Sequence, residues 1–473
     1  MFKAINFGST RYKVLMLAIL LVSLALRLGL VAYNREANDA HYIVITQIMQ
    51  NGKLPEKDDC WECFQPKFFH YTTAKVLLHL GLSAENPNKV VDLGSELINF
   101  AVGALTLLII AFIITRAPVK SEWLKLAAFG LVAFNPDLLG INSQGTNDTF
   151  AISLGTLALV FAVEFLERPR LLSFLATLLF TVIGISTKTN LWVMAVAITL
   201  ALVLKGWAAK KARIRHAAIG LSFLVLTLVI SIINPLNQYI SNTQKYGSPM
   251  VLNVKTEPFP HLWQNTEVVR PGIRSIMDGY FTFRFSDLLK NPLDGNTEAY
   301  HLNRTSFWSQ LYGRAHSIHF PNWPGTWQTK DEEGFNLTRA LFIFALPASL
   351  LLAFGAILQL IRLVKTVVRR DVAALSADAN GLMTIAFYGY LLFLVLFTLI
   401  YRDFSVIKNI YIFPAVLSFP LLFMQAVEFV KQHLARHLNW LRWVSLGWTV
   451  VLFGLYIADV VSMILLVRSH TLA

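Results

Sequence analysis

The chain has 473 residues, 55% of them hydrophobic and only 15% charged, with a mean hydropathy of +0.54. Such an apolar excess excludes an ordinary soluble domain and predicts an all-α polytopic membrane protein. The formal net charge of +13 needs no nucleic acid to explain it, because the cations fall where membrane topology puts them.

Lys3, Arg11 and Lys13 precede the first apolar run, residues 12–33. No small-residue cleavage pattern follows, so the run reads as a retained signal anchor. Further stretches long enough to cross about 30 Å of hydrocarbon recur along the chain, about eleven in all. They are residues 12–33, 90–115, 123–139, 149–166, 171–186, 190–205, 217–236, 337–363, 382–401, 406–426 and 443–467. Starting from a cytoplasmic amino terminus, one face collects Arg116 and Lys120, Arg168 and Arg170, and the group Lys205, Lys210, Lys211, Arg213 and Arg215. Arg362, Lys365, Arg369, Arg370, Lys431, Arg436 and Arg442 join them, as the positive-inside rule requires.

The opposite, non-cytoplasmic face receives residues 34–89, the long segment 237–336 between the seventh and eighth spans, and the carboxyl terminus. Three parts follow: residues 1–236, a membrane bundle with the first external loop; 237–336, an external loop region; and 337–473, the carboxyl-terminal membrane helices. In the first external loop, residues 40–49 and 65–82 read as short interfacial helices, the second opened by Pro66. Cys60 and Cys63 are the only cysteines. They read as a local disulfide or free thiols, since no thioredoxin-like context accompanies them.

Asn38-Asp39-Ala40-His41-Tyr42 after the first span, followed by Phe64-Gln65-Pro66-Lys67-Phe68-Phe69-His70-Tyr71, resembles the first external loop of GT-C membrane glycosyltransferases. The branch resembled uses polyprenyl-phosphate sugars and includes protein mannosyltransferases and lipid A aminoarabinose transferases. Asn135-Pro136, Gly145-Thr146-Asn147-Asp148, Ser186-Thr187-Lys188 and Lys408-Asn409-Ile410-Tyr411 before Pro414 follow in the family's order. The family often has a proline pair in the second element, where this chain has Pro66-Lys67.

Sugar transfer from a lipid phosphate needs a base for the acceptor hydroxyl and cations for the departing phosphate. A positioned carboxylate contributes about 10²- to 10⁴-fold in rate, and the resemblance puts Asp39 in that position. The alternative reading of Asp39 is a cap on the following helix. Asp148 is the second candidate acid, orienting the acceptor or the base, and it too has the helix-cap alternative. Lys67, Lys188, Arg402 and Lys408 fall at external span ends against the positive-inside trend and suit a lipid phosphate, unless they merely snorkel. Arg27, near the outer end of the first span, reads as a snorkelling residue. Asn38, His41, Gln65, His70, Tyr71, Asn147 and Tyr411 are expected to line the substrate cavity.

Trp263, Trp308, Trp323 and Trp327, with Tyr300 and Tyr312, enrich the long external loop and suit a membrane-edge belt and loop core, or contact with sugar. His316 and His319 have a spacing compatible with one helical face, but no carboxylate completes a metal set. No metal site and no cofactor are expected, with a divalent cation left open. No glycine-rich nucleotide loop occurs, which fits a lipid-linked donor.

The expected function is an inverting glycosyltransferase using a polyprenyl-phosphate sugar and a glycan, lipid or protein acceptor on the non-cytoplasmic side, in a bacterial inner membrane. The alternative is a transporter or flippase of a lipid-linked molecule. Transporters gather ionisable residues near the midplane of related halves, whereas the acids here cluster at span ends.

Overall fold

The computed structural model describes residues 8–34, 40–208, 213–251, 276–290, 292, 306–320, 327, 332–369, 379–400, 407–433 and 440–472. Asn38, Asp39, Arg402, Trp263, Tyr300 and Trp323 lie outside the described residues. All regular structure among the described residues is helical. In chain order the helices are α1 Thr10–Tyr33, α2 His41–Asn51, α3 Phe68–His79, α4 Asn88–Arg116, α5 Glu122–Ala133 and α6 Pro136–Asn142. There follow α7 Asp148–Glu167, α8 Leu171–Ile185, α9 Trp192–Ala208, α10 Arg213–Ile233, α11 Tyr239–Tyr246, α12 Ile276–Phe281 and α13 Phe285–Lys290. The chain ends with α14 Phe307–His316, α15 Glu332–Arg369, α16 Ala379–Ile400, α17 Ser418–His433 and α18 Trp440–Leu472.

Ten of the eleven expected apolar stretches fall largely on helix, whereas the tenth, 406–426, is α-helical only from Ser418, after the short turns Asn409–Tyr411 and Phe413–Ala415. Among the described residues eight helices are long and apolar enough to cross a membrane, and a ninth span results if α5 and α6 count as one broken crossing. The two remaining stretches are α8, with 15 residues, and α17, with 16. Both are shorter than the roughly 20 residues a straight crossing needs. The chain is an all-α polytopic membrane protein.

The third stretch is where the reading by hydrophobicity loses detail. Its axis bends by 52° between α5 and α6, because Pro136 has no N–H to continue the ladder. Asn135 restarts the helix instead, its side chain accepting from the Leu138 N–H at 2.9 Å. The break frees carbonyls in an apolar setting, where each must find a donor. Arg27 supplies one: its Nη1 donates to Ala133 O at 3.0 Å and its Nε to Asn142 Oδ1 at 3.1 Å. Arg27 is fully buried, so it does not snorkel; the bundle uses its guanidinium to tie α1 across the broken span.

The first loop is a lid of two short helices packed on the bundle end. Val44, Ile45 and Ile48 of α2 and Phe69 and Leu77 of α3 share a buried cluster with Phe150 and Leu154 of α7. The Phe69 and Phe150 rings meet edge to face at 5.2 Å, which fixes α3 directly above the start of α7. Backbone bonds complete the docking, from Lys67 N to Leu236 O and from Phe68 N to Ser186 O, both at 2.8 Å. Cys60 and Cys63 form a disulfide, so the local pairing holds.

Candidate functional site

The start of α7 carries the first charged group. Asn147 occupies the cap position without a side-chain cap bond, and Asp148 does not cap either. Its carboxylate instead pairs with the Lys188 ammonium from the turn after α8 and accepts from Thr146 Oγ1 at 3.4 Å. The ring of Tyr411 lies 5.4 Å from the Lys188 ammonium, a cation–π arrangement that orients the lysine from a third segment.

The loop leading to Asp148 is held from below. Asn99 of α4 is buried and donates to both Gln144 O and Thr146 O, at 2.6 and 2.7 Å. Gly145 lies so close to α4 that a Cβ there would come within 2.1 Å of Ser95 Oγ and 2.6 Å of Asp92 Oδ1. Asn147 bridges to the first loop, donating to Gln65 Oε1 at 2.6 Å and to Thr187 O at 3.0 Å.

Asp148 opens onto a cleft between α6 and residues 408–410. Asp137, Gln144, Thr146, Arg314, Lys408 and Asn409 are its other polar lining residues, and Ile141, Ile318, Trp327 and Ile410 line it with apolar surface. Asn409 Nδ2 donates to Asp137 Oδ2 at 2.8 Å and to Leu311 O at 3.2 Å, joining three distant segments. Arg314, Lys408 and Asp148 are all near enough to act on Asp137 electrostatically.

Two of the expected residues, Asp148 and Lys408, therefore line this cleft, and Lys188 and Tyr411 are joined to it through Asp148. Gln65 and Asn147 adjoin them. Lys67 lies behind Gln65, fully buried, its ammonium turned onto Cys63 O and Gln65 O, the latter at 2.7 Å. Burial lowers its pKa to about 7 against the opposing pull of Glu62 and Asp59. His41 and His70 form a separate buried pair, Nδ1 to Nε2 at 2.8 Å. Burial, then His41 and Lys67, hold His70 well below the ordinary histidine range. Tyr71 lies outside the cleft, beneath the Lys75 ammonium at 5.3 Å.

Ala40 takes the cap position of α2 with a left-handed φ of 56° and no side-chain cap bond. A non-glycine residue in that region is strained and needs surrounding structure to hold it; the buried His41–His70 contact anchors the next residue.

Asp137 and Arg314 were missed. Asp137 fell inside a stretch read only as apolar, although an acid there is itself a signal of function, and Arg314 was one cation in a long loop. His316 and His319 share no helical face, since α14 ends at His316. His316 is bonded to Tyr456 OH at 2.6 Å and Ser349 Oγ at 2.7 Å, and His319 to Ser462 Oγ at 2.8 Å. They bolt the Arg314 segment to α15 and α18. Trp327 is buried in the cleft wall, while Trp308 is 41% exposed, donating to Tyr280 O at 2.7 Å. Among the described residues no group of three His, Cys, Asp or Glu could hold a metal.

No family model matches the chain, and no curated protein matches it. Among solved structures it is similar to the S. cerevisiae protein O-mannosyltransferase Pmt1-Pmt2 complex bound to the sugar donor, at 14% identity and a TM-score of 0.41. That match covers 55% of this chain and only 36% of the other. It is also similar to ArnT from Cupriavidus metallidurans bound to undecaprenyl phosphate, at 14% identity and a TM-score of 0.35, over 91% of this chain and 82% of that one. The apo form of the same protein gives 14% identity and a TM-score of 0.36, over 91% and 81%.

Proposed function

We propose that the chain is an inverting glycosyltransferase that takes a sugar from a polyprenyl phosphate and passes it to an acceptor on the non-cytoplasmic side of a bacterial inner membrane. The observation that carries this reading is the convergence of Asp148, Asp137, Arg314 and Lys408 on one cleft, with Lys188 paired to Asp148. Carboxylates and cations brought together from such distant segments suit a reaction that takes up a proton and releases a phosphate.

The acceptor oxygen attacks the anomeric carbon from the face opposite the phosphate. The bond from that carbon to the phosphate oxygen breaks with its electron pair, and a carboxylate takes the hydroxyl proton. Asp39 is the base in this proposal, and Asp148, oriented by Lys188, positions the acceptor or that base. Lys408 and Lys188, with Arg402, stabilise the charge growing on the leaving oxygen, which preorganised cations do in a dry site. Lys67 acts from one shell further out, through Gln65 and Asn147.

Transport of a lipid-linked molecule would draw on buried ionisable groups within the spans, and Asp459 in α18 is fully buried. Its two oxygens already accept from Ile318 N at 2.8 Å and Ser317 Oγ at 3.2 Å, a structural use that favours the transferase. The test compares purified wild type with Asp39→Asn on polyprenyl-phosphate sugars. A loss of about 10²-fold or more supports the base; undiminished transfer rejects it, and a wild type inactive on every such donor favours transport.

A further inference from the structure

Arg314 and Ile318 both line the cleft and are both buried, yet only Arg314 stands on a helix. α14 stops at His316, where Ser317 turns extended with φ −145° and ψ 132°. The Ile318 N–H is then past the reach of the helical ladder, and a buried N–H needs an acceptor. Asp459 of α18 supplies one: its Oδ2 accepts from Ile318 N at 2.8 Å and its Oδ1 from Ser317 Oγ at 3.2 Å. Ser317 Oγ in turn accepts from His319 N at 3.3 Å and contacts Thr338 Oγ1 at 3.2 Å. The carboxylate therefore holds the turn at which the chain leaves α14 and returns Ile318 to the cleft.

Asp459 is fully buried within α18 and meets α14 just past its carboxyl end. A carboxylate is disfavoured in both settings, by loss of water inside a span and by the negative end of the helix dipole. Helix stability therefore does not account for an acid here, whereas strong charge-assisted bonds to the turn do. The last turns of α14 are tied to the other segments that line the cleft. Asn135 Nδ2 donates to Ala315 O at 2.9 Å beside the break before Asp137, and Asn409 Nδ2 joins Leu311 O to Asp137. A shift of residues 314–318 would thus change the spacing of Arg314 from Asp137 and Lys408. His316 and His319 hold this segment by their side chains, and Asp459 holds its backbone from behind the cleft lining. Resting on the transferase reading above, we infer that Asp459 is a positioning residue of the reaction, acting from α18 through the turn after α14 to fix Arg314 and Ile318 in the cleft.

The test uses full-length protein in lipid nanodiscs and follows release of polyprenyl phosphate from polyprenyl-phosphate hexose, with membrane extract supplying the acceptor. Asp459→Leu should lower kcat/KM by about tenfold or more. Asp459→Asn can turn its oxygen to the Ile318 N–H and its amide to Ser317 Oγ, and should stay within about threefold of wild type. With Arg314→Gln already present, Asp459→Leu should lower the rate by less than about a further twofold, because the group it places is gone. A general packing defect would instead multiply the two losses. If Asp459→Leu does not fold, Ser317→Ala, which removes one of the two bonds, takes its place in the cycle, with a smaller loss that again vanishes beside Arg314→Gln. Hydrogen exchange reads the placement without any turnover: protection of residues 315–320 should fall in Asp459→Leu, or in Ser317→Ala, and stay as in wild type in the rest of the bundle. Losses that multiply, an Asp459→Asn as damaging as Asp459→Leu, or unchanged exchange over 315–320 would each overturn the inference. A wild type with no transfer, whose exchange at 315–320 still depends on Asp459, would sink the transferase reading and leave the placement standing. Transfer by wild type that is indifferent to Asp459→Leu would do the reverse.

Discussion

Asp148 and Lys188, forty residues apart in sequence, form an ion pair at the edge of the cleft, with side chains 10% and 12% exposed. The pair joins the start of α7 to the turn after α8, and Tyr411 lies over the lysine. Removing one partner strands a poorly hydrated charge, which costs about 3–5 kcal/mol for fully buried pairs and less here because some water reaches both groups. Lys188→Met and Asp148→Asn should therefore each lower the melting temperature and the turnover. The double variant should fall short of the sum by about 0.5–3 kcal/mol. Strict additivity in a double-mutant cycle would mean that the two do not interact.

Asn99 holds the loop before Asp148 through two carbonyls. In Asn99→Ala both acceptors lose their donor inside the bundle, at about 1–3 kcal/mol for each group left unsatisfied. The expected result is a lower melting temperature and a kcat that falls more than KM rises. A variant with wild-type kcat would show that the loop needs no such support.

The segment carrying Lys408 and Tyr411 runs tightly against α7. At Gly155 an added Cβ would come within 2.5 Å of Pro414 O, a backbone atom that cannot turn aside. Small residues permit such approaches between membrane helices. Gly155→Ala should push residues 408–415 away from α7, disturb the Tyr411–Lys188 contact and reduce turnover by about tenfold or more.

Lys67 sets a pH dependence whose sign follows from burial. Its folded pKa is lowered from the ordinary lysine value to about 7, so between there and the unfolded value near 10.4 the unfolded chain binds more protons. Stability contributed by this group must rise with pH across that window and be flat below it. The difference in melting temperature between wild type and Lys67→Met should change by a few degrees over the same range, in favour of wild type at the alkaline end. An unchanged difference between pH 7 and pH 10 would mean that Lys67 is not desolvated.

The apolar stretches were legible because membrane helices announce themselves by length and composition, and α1, α4 and α16 match their expected bounds within a few residues. The short helices α2 and α3 were legible from periodicity and from Pro66. Arg27 was misread because an arginine near a span end has two outlets, water or a freed carbonyl. Only the 52° break at Asn135-Pro136 decides between them. The same break hid Asp137, and Arg314 could be placed only by the bonds of His316 and Ser317 to α15 and α18. Lys188 and Asp148 were legible as candidates but not as partners, since pairing across forty residues is a property of the packed bundle.

The most direct measurement is release of polyprenyl phosphate from a polyprenyl-phosphate hexose, followed with acceptor present in wild type, Asp148→Asn and Lys408→Met reconstituted in vesicles. The account predicts acceptor-dependent release by wild type and a drop of about a hundredfold or more in both variants, with the donor still bound. Release within twofold of wild type in both variants would contradict it, as would a wild type that carries the intact donor between leaflets without cleaving it.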